Sequence, residues 1–386
     1  MAGFGGLDDL INEATTNGKT FRQDWNKNML PTTVAIANEA HFLARGAGSP
    51  AADALFNTGT NLLFQPVSDT TANASSIPHG GNVSPDYKYL LNASTYTVAA
   101  TVAPCIMMLV DVVGFYRKTS VTTTTAQATT NTLSSFSTFT ADAGSDVCTH
   151  SNINLKPYTR VQLTTTTTLP AGLSLATDYY VIKVSDTTCK FATSYANAVS
   201  GTAVNITDAG TGTHTINTLL PRYTNGAGLK AFMYNSNATA LGAATPNLSI
   251  GYTNSEQTGS RATPTVLPIG KTACPNGQIL YSGATANGKY QTFMPMQSGD
   301  SGIAQIDTIQ NSTSYVSGEY STVLCKPLIT MPITTLGVAS ERQFISQVAG
   351  GAPRIYDGAA LYWIIIHGAA TPVNSAIAGH MDFAWG

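Results

Sequence analysis

Runs of strand length, cut apart by turn residues and with almost no helical periodicity between them, set the fold class of this chain. LSIGYTN (248–254), ATPTVLPI, GQILYSG, YQTFMPM, IAQIDTI and YSTVLCKPLITMPI follow one another at short, regular spacing. ALYWIII (360–366) is wholly apolar, and AGHMDFAWG closes the chain in another strand-like run. Helical segments do not intervene, so βαβ units are excluded and a mainly β, antiparallel sandwich or jelly roll is expected. One stretch departs from the pattern. SERQFISQV (340–348) has a serine cap, Phe344, Ile345 and Val348 on one side, and a Gly350-Gly351 stop, which predicts a helix.

A chain of 386 residues is long enough to bury a full core. Only 10% of it is charged, against about 25% in ordinary soluble domains. The net charge of −2 comes from 19 basic and 21 acidic side chains spread thinly along the sequence. No basic stripe is visible, so nucleic acid is not an expected partner. So weakly charged a surface suits a subunit covered by neighbours, and equally an extracellular β-protein. The longest apolar stretch, VAATVAPCIMMLV (98–110), meets Asp111 and is too short for a membrane span, so no membrane partner is expected either. MAGFGGLDDLINEA lacks the basic and apolar regions of a signal peptide. Cys105, Cys148, Cys189, Cys274 and Cys325 are scattered and contain no CxxC pair, which points to buried free thiols and to synthesis in a reducing cytoplasm.

Texture divides the chain into four parts. Residues 1–30 read as an N-terminal arm: LDDLINEA forms one or two helical turns, and Phe21 and Trp25 anchor the arm on its own body or on a neighbour, as the expected assembly contacts. Residues 31–131 begin a host β domain, in which PTTVAIANEAHFLARG fits a helix or a strand and His79 lies in a surface loop between Pro78 and Pro85. At Thr119 the composition turns threonine-rich, which favours extended structure. Next come YTRVQLTTT, DYYVIKVS, CKFATS, AVNIT and THTI, strand-like runs joined by short turns. The tripeptide Asn-Thr-Leu at 131–133 and again at 217–219 brackets this unit, so 132–218 reads as a module inserted into a host loop, with 219–386 completing the host.

Catalysis needs acid, base, nucleophile or metal groups brought together. The histidines at 41, 79, 150, 214, 367 and 380 form no HxH or HExxH arrangement, and there is no GxSxG elbow, P-loop or dinucleotide fingerprint. Glu256, Glu319 and Glu341 are far apart in sequence. The chain is therefore expected to be non-enzymatic, with no catalytic residue, metal or cofactor. The rival reading is carbohydrate binding, for which Tyr252, Tyr290 and Tyr315 are the candidate saccharide contacts. Tyrosines serve equally as rigid anchors between proteins.

Two resemblances sharpen these expectations. LPAGLSLATDYYVIKV and GTAVNITDAGTGTHTI resemble a small β domain inserted in many virion proteins of tailed bacteriophages. The segments LDDLINEATTNGKTFRQDWNK, HGGNVSPDYKYLLN, LPRYTNGAG, TLGVASERQFISQV and AGHMDFAWG resemble a group of phage structural proteins that lack the insert. The resemblance implies a structural protein of the virion and brings no catalytic residues with it. A head decoration or stabilising protein is the first expectation, on the outer surface of the head, with other copies of itself and the main capsid protein as partners. A tail or adsorption component and an unusual main capsid protein stay open as alternatives.

Overall fold

The computed structural model describes residues 3–29, 34–71, 75–98, 104–264, 269–281, 292–345 and 351–386. The chain is mainly β, built from several antiparallel sheets. The outer sheet contains Thr20–Asn28, Lys88–Thr97, Ala376–Trp385 and Ser340–Gln343, with two short edge pieces. In Thr20–Asn28 the alternation is strict. Phe21, Gln23, Trp25 and Lys27 turn inward, whereas Thr20, Arg22, Asp24 and Asn26 face solvent, as a one-face-covered strand requires. The strand pairs along its whole length with Ala376–Trp385 and is an integral part of the sheet. The first helix, Leu7–Thr15, rests on the same sheet: Leu10 is buried with Phe4, Leu91 and Ala384, while Leu7 and Ile11 are exposed.

The central sheet is organised on two 14-residue strands, Cys105–Lys118 and Tyr320–Ile333, flanked by Leu361–His367, Lys230–Tyr234 and Ala40–Phe42. It is covered on both faces, so its strands are apolar almost throughout. Met107, Leu109, Met331, Leu361, Trp363 and Ile365 share a core with Trp25, Leu90 and Met381 of the outer sheet. On the opposite side Val110, Val112, Phe232, Tyr234, Tyr362 and Ile364 share a second core with Ile250, Tyr252, Ile306 and Ile309. Those last four belong to a small sheet whose long strands are Leu248–Asn254 and Ile303–Asn311.

The strands Ser134–Asp142, Val147–His150, Arg160–Thr165, Asp178–Lys183, Thr188–Ala192 and His214–Thr218 close into a barrel, each pairing with two others of the set. Phe139, Leu163, Val181, Phe191 and Ile216 fill it. Several local readings need correction. Over their described parts ATPTVLPI (262–269), GQILYSG (277–283) and YQTFMPM (290–296) form no strand beyond Ala262 at the end of Arg261–Ala262, only isolated bridges such as Tyr234 to Ile279 and Asn247 to Ile269. AVNIT (203–207) is not a strand, and the residues just before it form a short helix, Tyr195–Ser200. Ser194 Oγ accepts from Asn197 N to start that helix, and Gly201 ends it at φ 77°, where a side chain would be strained.

SERQFISQV is also not the predicted helix over its described part. Ser340–Gln343 is a strand that pairs Ser340 with Thr95 and Gln343 with Asn92. Phe344 is buried and Ile345 is exposed, the alternation of a strand and not the shared face of a helix. The unpaired edge of Lys88–Thr97 supplies the reason: its backbone groups take this segment as their partner, which overrides a capping signal of modest strength. Residue 348 lies outside the described residues.

Candidate assembly surface

Of the proposed contact residues, Trp25 is only 2% exposed and packs on Trp363 at 5.4 Å between ring centroids. It belongs to its own core and is not available to a neighbour. Phe21 is half-buried and stacks on Phe383 at 6.3 Å. Tyr252 and Tyr315 are both 0% exposed and cannot stack on a sugar. The Tyr252 hydroxyl donates to Asp300 Oδ2 at 2.6 Å and accepts from Gln297 N at 2.7 Å. Asp300 in turn is held down to about 2 by hydrogen bonds from Arg261, Tyr252 and Asn254. Tyr315 sits against Gly270, where an added Cβ would fall 2.0 Å from its hydroxyl oxygen. These tyrosines occupy strands or tight loops whose alternation turns them inward, which a reading of them as loop aromatics overlooks. Tyr290 lies outside the described residues.

His79 is not on the surface either. It is 1% exposed, with Nε2 3.3 Å from Asp69 Oδ2 and Nδ1 3.1 Å from Lys88 Nζ. Lys88 Nζ also donates to the carbonyls of His79 and Gly81, so its three N–H groups are all used within one loop. Burial pulls the Lys88 ammonium down to about 8. These bonds fasten the loop to the outer sheet. The three glutamates stay apart: Glu319 pairs with Arg117 at 2.6 Å, Glu256 takes serine hydroxyls, and Glu341 lies 3.9 Å from His380. Among the described residues no three His, Cys, Asp or Glu side chains gather as a metal would need.

A different feature dominates the surface. Four connections link the outer and central sheets at one end, and their described parts are residues 29 and 34–39, 98 and 104, 334–339, and 368–375. Register places them together, since Asn28 faces Ala376, Thr97 faces Ile377, and Cys105 faces both Ile333 and His367. Bonds between the connections tie this end: Val98 N to Ala376 O, Gly368 N to Pro104 O, Gly337 N to Thr97 Oγ1, and a bridge between Ala35 and Thr371. Segments 29–38, 97–110, 327–340 and 368–379 contain no Asp, Glu, Lys or Arg at all. Val34, Ile36, Val98, Ile106, Leu336, Val338 and Val373 are exposed there, Val98 to 60% and Val34 to 58%. The charged groups that border this end are few: Glu39, which accepts from Ile36 N and pairs with Lys271, and Arg342, which donates to Thr330 O at 3.2 Å.

The barrel is joined at the other end of the same strands. Tyr87, which precedes Lys88–Thr97, donates from its hydroxyl to Asp186 Oδ2 at 2.5 Å, and Arg354 Nη2 donates to Asn154 Oδ1 at 3.2 Å. Tyr87 and Val98 are separated by the full strand, roughly 36 Å at 3.3 Å per residue.

Two histidines lie beneath the uncharged end. His41 and His367 meet edge to face at 5.1 Å, and His367 Nδ1 bonds Thr371 Oγ1 at 2.9 Å. Burial lowers His367 to about 4 and lowers His41 well below its ordinary value, the latter helped by His367 and Lys271. The unfolded chain, with ordinary histidines near 6.5, therefore binds more protons than the folded one as pH falls. Stability is complete above about 6.5 and drains away towards about 4. His367 alone removes on the order of 2 kcal/mol between pH 7.5 and 5. Urea unfolding at the two pH values checks this, and H367N should show a visibly shallower pH slope.

Against models of protein families, curated proteins and solved structures, the chain finds no match.

Proposed function

We propose that the chain is a non-enzymatic structural protein of a bacteriophage particle, a decoration or stabilising subunit on the outside of the head. In this reading the outer and central sheets are the two halves of a jelly-roll-like sandwich, and the barrel is an inserted module. The observation that carries the proposal is the uncharged apolar end, formed by four connections far apart in sequence and set opposite the barrel. Seated on a shell of main capsid protein and on sister copies, that end removes its exposed valines and isoleucines from water, at about 25 cal/mol per Å². Repetition over a symmetric lattice turns such modest contacts into firm attachment. The barrel then points outward and interrupts no lattice contact. Of the saccharide contacts that the tail or adsorption alternative would use, Tyr252 and Tyr315 are buried and Tyr290 lies outside the described residues.

A density map of the intact particle with this chain placed in it tests the proposal. Many copies on the icosahedral faces, with Val98 and Val338 towards the shell and residues 134–218 away from it, are expected. Density confined to a tail tube or a tail tip overturns the placement.

A further inference from the structure

The charge that is missing from the loop end collects elsewhere. Where the barrel meets the body there is a cavity of about 550 Å³. The barrel contributes Lys156 to its wall, and the body contributes Lys326, Arg354, Tyr223 and Tyr356. No carboxylate comes within 4.0 Å of Lys156, Lys326 or Arg354 among the described residues, although this chain has slightly more acids than bases. The cations lie over aromatic rings instead. Arg354 Cζ lies 3.5 Å from the centre of the Tyr87 ring and 4.4 Å from that of Tyr356, Lys156 Nζ is 4.9 Å from Tyr356, and Lys326 Nζ is 5.9 Å from Tyr223. Tyr223 and Tyr356 are themselves in edge contact at 4.6 Å, so the three positive groups are gathered around neighbouring rings.

Their hydrogen-bonding capacity is largely unspent. Arg354 gives one bond to Asn154, while its Nε is buried with no partner. Lys326 makes a single long contact to Ala227 O at 3.4 Å. The repulsion is felt: Lys156 is pulled down to about 8 by burial and by the charges of Arg354 and Lys183, and Lys326 is lowered by burial, Lys230 and Lys156. Asp186, the acid nearest in effect, is already taken by Lys183 and Tyr87. Three half-buried cations that share one carboxylate, itself bonded to Lys183 and Tyr87, are held together at a cost that an anion would reduce.

We propose that this cavity binds a tetrahedral oxyanion, the phosphate or sulfate group of a small ligand, between Arg354, Lys326 and Lys156. A guanidinium fork offers paired donors to such a group, and the two ammonium groups supply the remaining charge. Proline and tyrosine walls leave room for a small organic body attached to it. Because Lys156 comes from the barrel and the other two from the body, the bound anion also ties one to the other. The inference concerns this junction alone and does not depend on where the subunit sits in a particle.

Isothermal titration of the whole chain with inorganic phosphate, with sulfate and with glucose 6-phosphate, against chloride at equal ionic strength, tests it. Saturable one-to-one binding of the divalent anions is expected, together with a rise in melting temperature. Lys326→Met and Lys156→Met keep the apolar stems and should each weaken binding by at least about tenfold. Tighter binding of glucose 6-phosphate identifies an ester as the ligand, and equal binding identifies the free ion. Heat no different from that of chloride in the unmodified chain overturns the proposal, whatever the variants do. Binding that both variants retain overturns it equally.

Discussion

Arg222→Met is expected to cost the folded chain about 3–5 kcal/mol, measured as a shift of the urea midpoint at unchanged slope. Arg222 and Asp111 are each 1% exposed. Arg222 Nε bonds both Asp111 oxygens, at 3.0 and 2.8 Å, Nη1 bonds Val67 O at 2.7 Å, and Nη2 reaches Asp111 and Val112 O. Asp111 also accepts from Ala360 N at 3.0 Å. One ion pair thus fastens the segment leaving the barrel to the middle of the central sheet. Methionine fills similar space but leaves a buried carboxylate without its counter-charge, which is the expensive half of the exchange. Adding Asp111→Asn should recover part of the loss, and the double-mutant cycle isolates the pair. A loss under about 1 kcal/mol for Arg222→Met alone would show that the carboxylate finds water or another donor.

Asp111 shows how the sequence both informs and conceals. The apolar run 98–110 stops at it, which excludes a membrane span, yet its partner lies 111 residues away and nothing local points to it. The antiparallel, mainly β character was legible for the opposite reason. It depends on period-two alternation and turn residues, which are local. The first helix was legible on the same grounds, from Leu7, Leu10, Ile11 and Ala14 at helical spacing. Ser340–Gln343 was not, because a cap, a mixed first turn and a glycine stop describe a helix while the vacant edge of Lys88–Thr97 decides for a strand. Trp25 misled in a related way. Its neighbours in the sequence are polar because they face solvent from the same strand, and the inward residue was taken with them for an exposed segment.

The candidate sites were legible in unequal measure. The uncharged segments can be read directly off the sequence, but their convergence is a matter of register among six strands. The cationic cavity leaves no trace, since residues 156, 326 and 354 belong to a loop, a long central strand and a short edge strand. A chain-wide charge count is blind to three cations brought together by folding. The pair of His41 and His367 was hidden by the same distance, 326 residues along the chain.

Val98→Asp combined with Val338→Asp is expected to abolish incorporation into particles while leaving the isolated chain folded. Both valines are more than half exposed, at 60% and 57%, so a carboxylate at either position stays in water and shifts unfolding by no more than about 0.5 kcal/mol. In an assembled contact the same carboxylates must be desolvated against an apolar partner. No Lys or Arg in the four segments can answer them. A penalty of about 1.4 kcal/mol per charge, at the low end for a buried unpaired group, weakens one contact about a hundredfold when two are present. Repetition across a symmetric lattice multiplies that loss, because avidity depends on every contact being made at once. Leu175→Asp and Val199→Asp provide the matched comparison, since those barrel residues are exposed to similar extents, 58% and 54%. Particle occupancy and urea unfolding are read on the same preparations. If the barrel variants are excluded and the loop-end variants are incorporated normally, the chain is held by the barrel and the proposed polarity is reversed. If all variants are incorporated, neither end is the contact, and the uncharged loops owe their composition to something other than assembly.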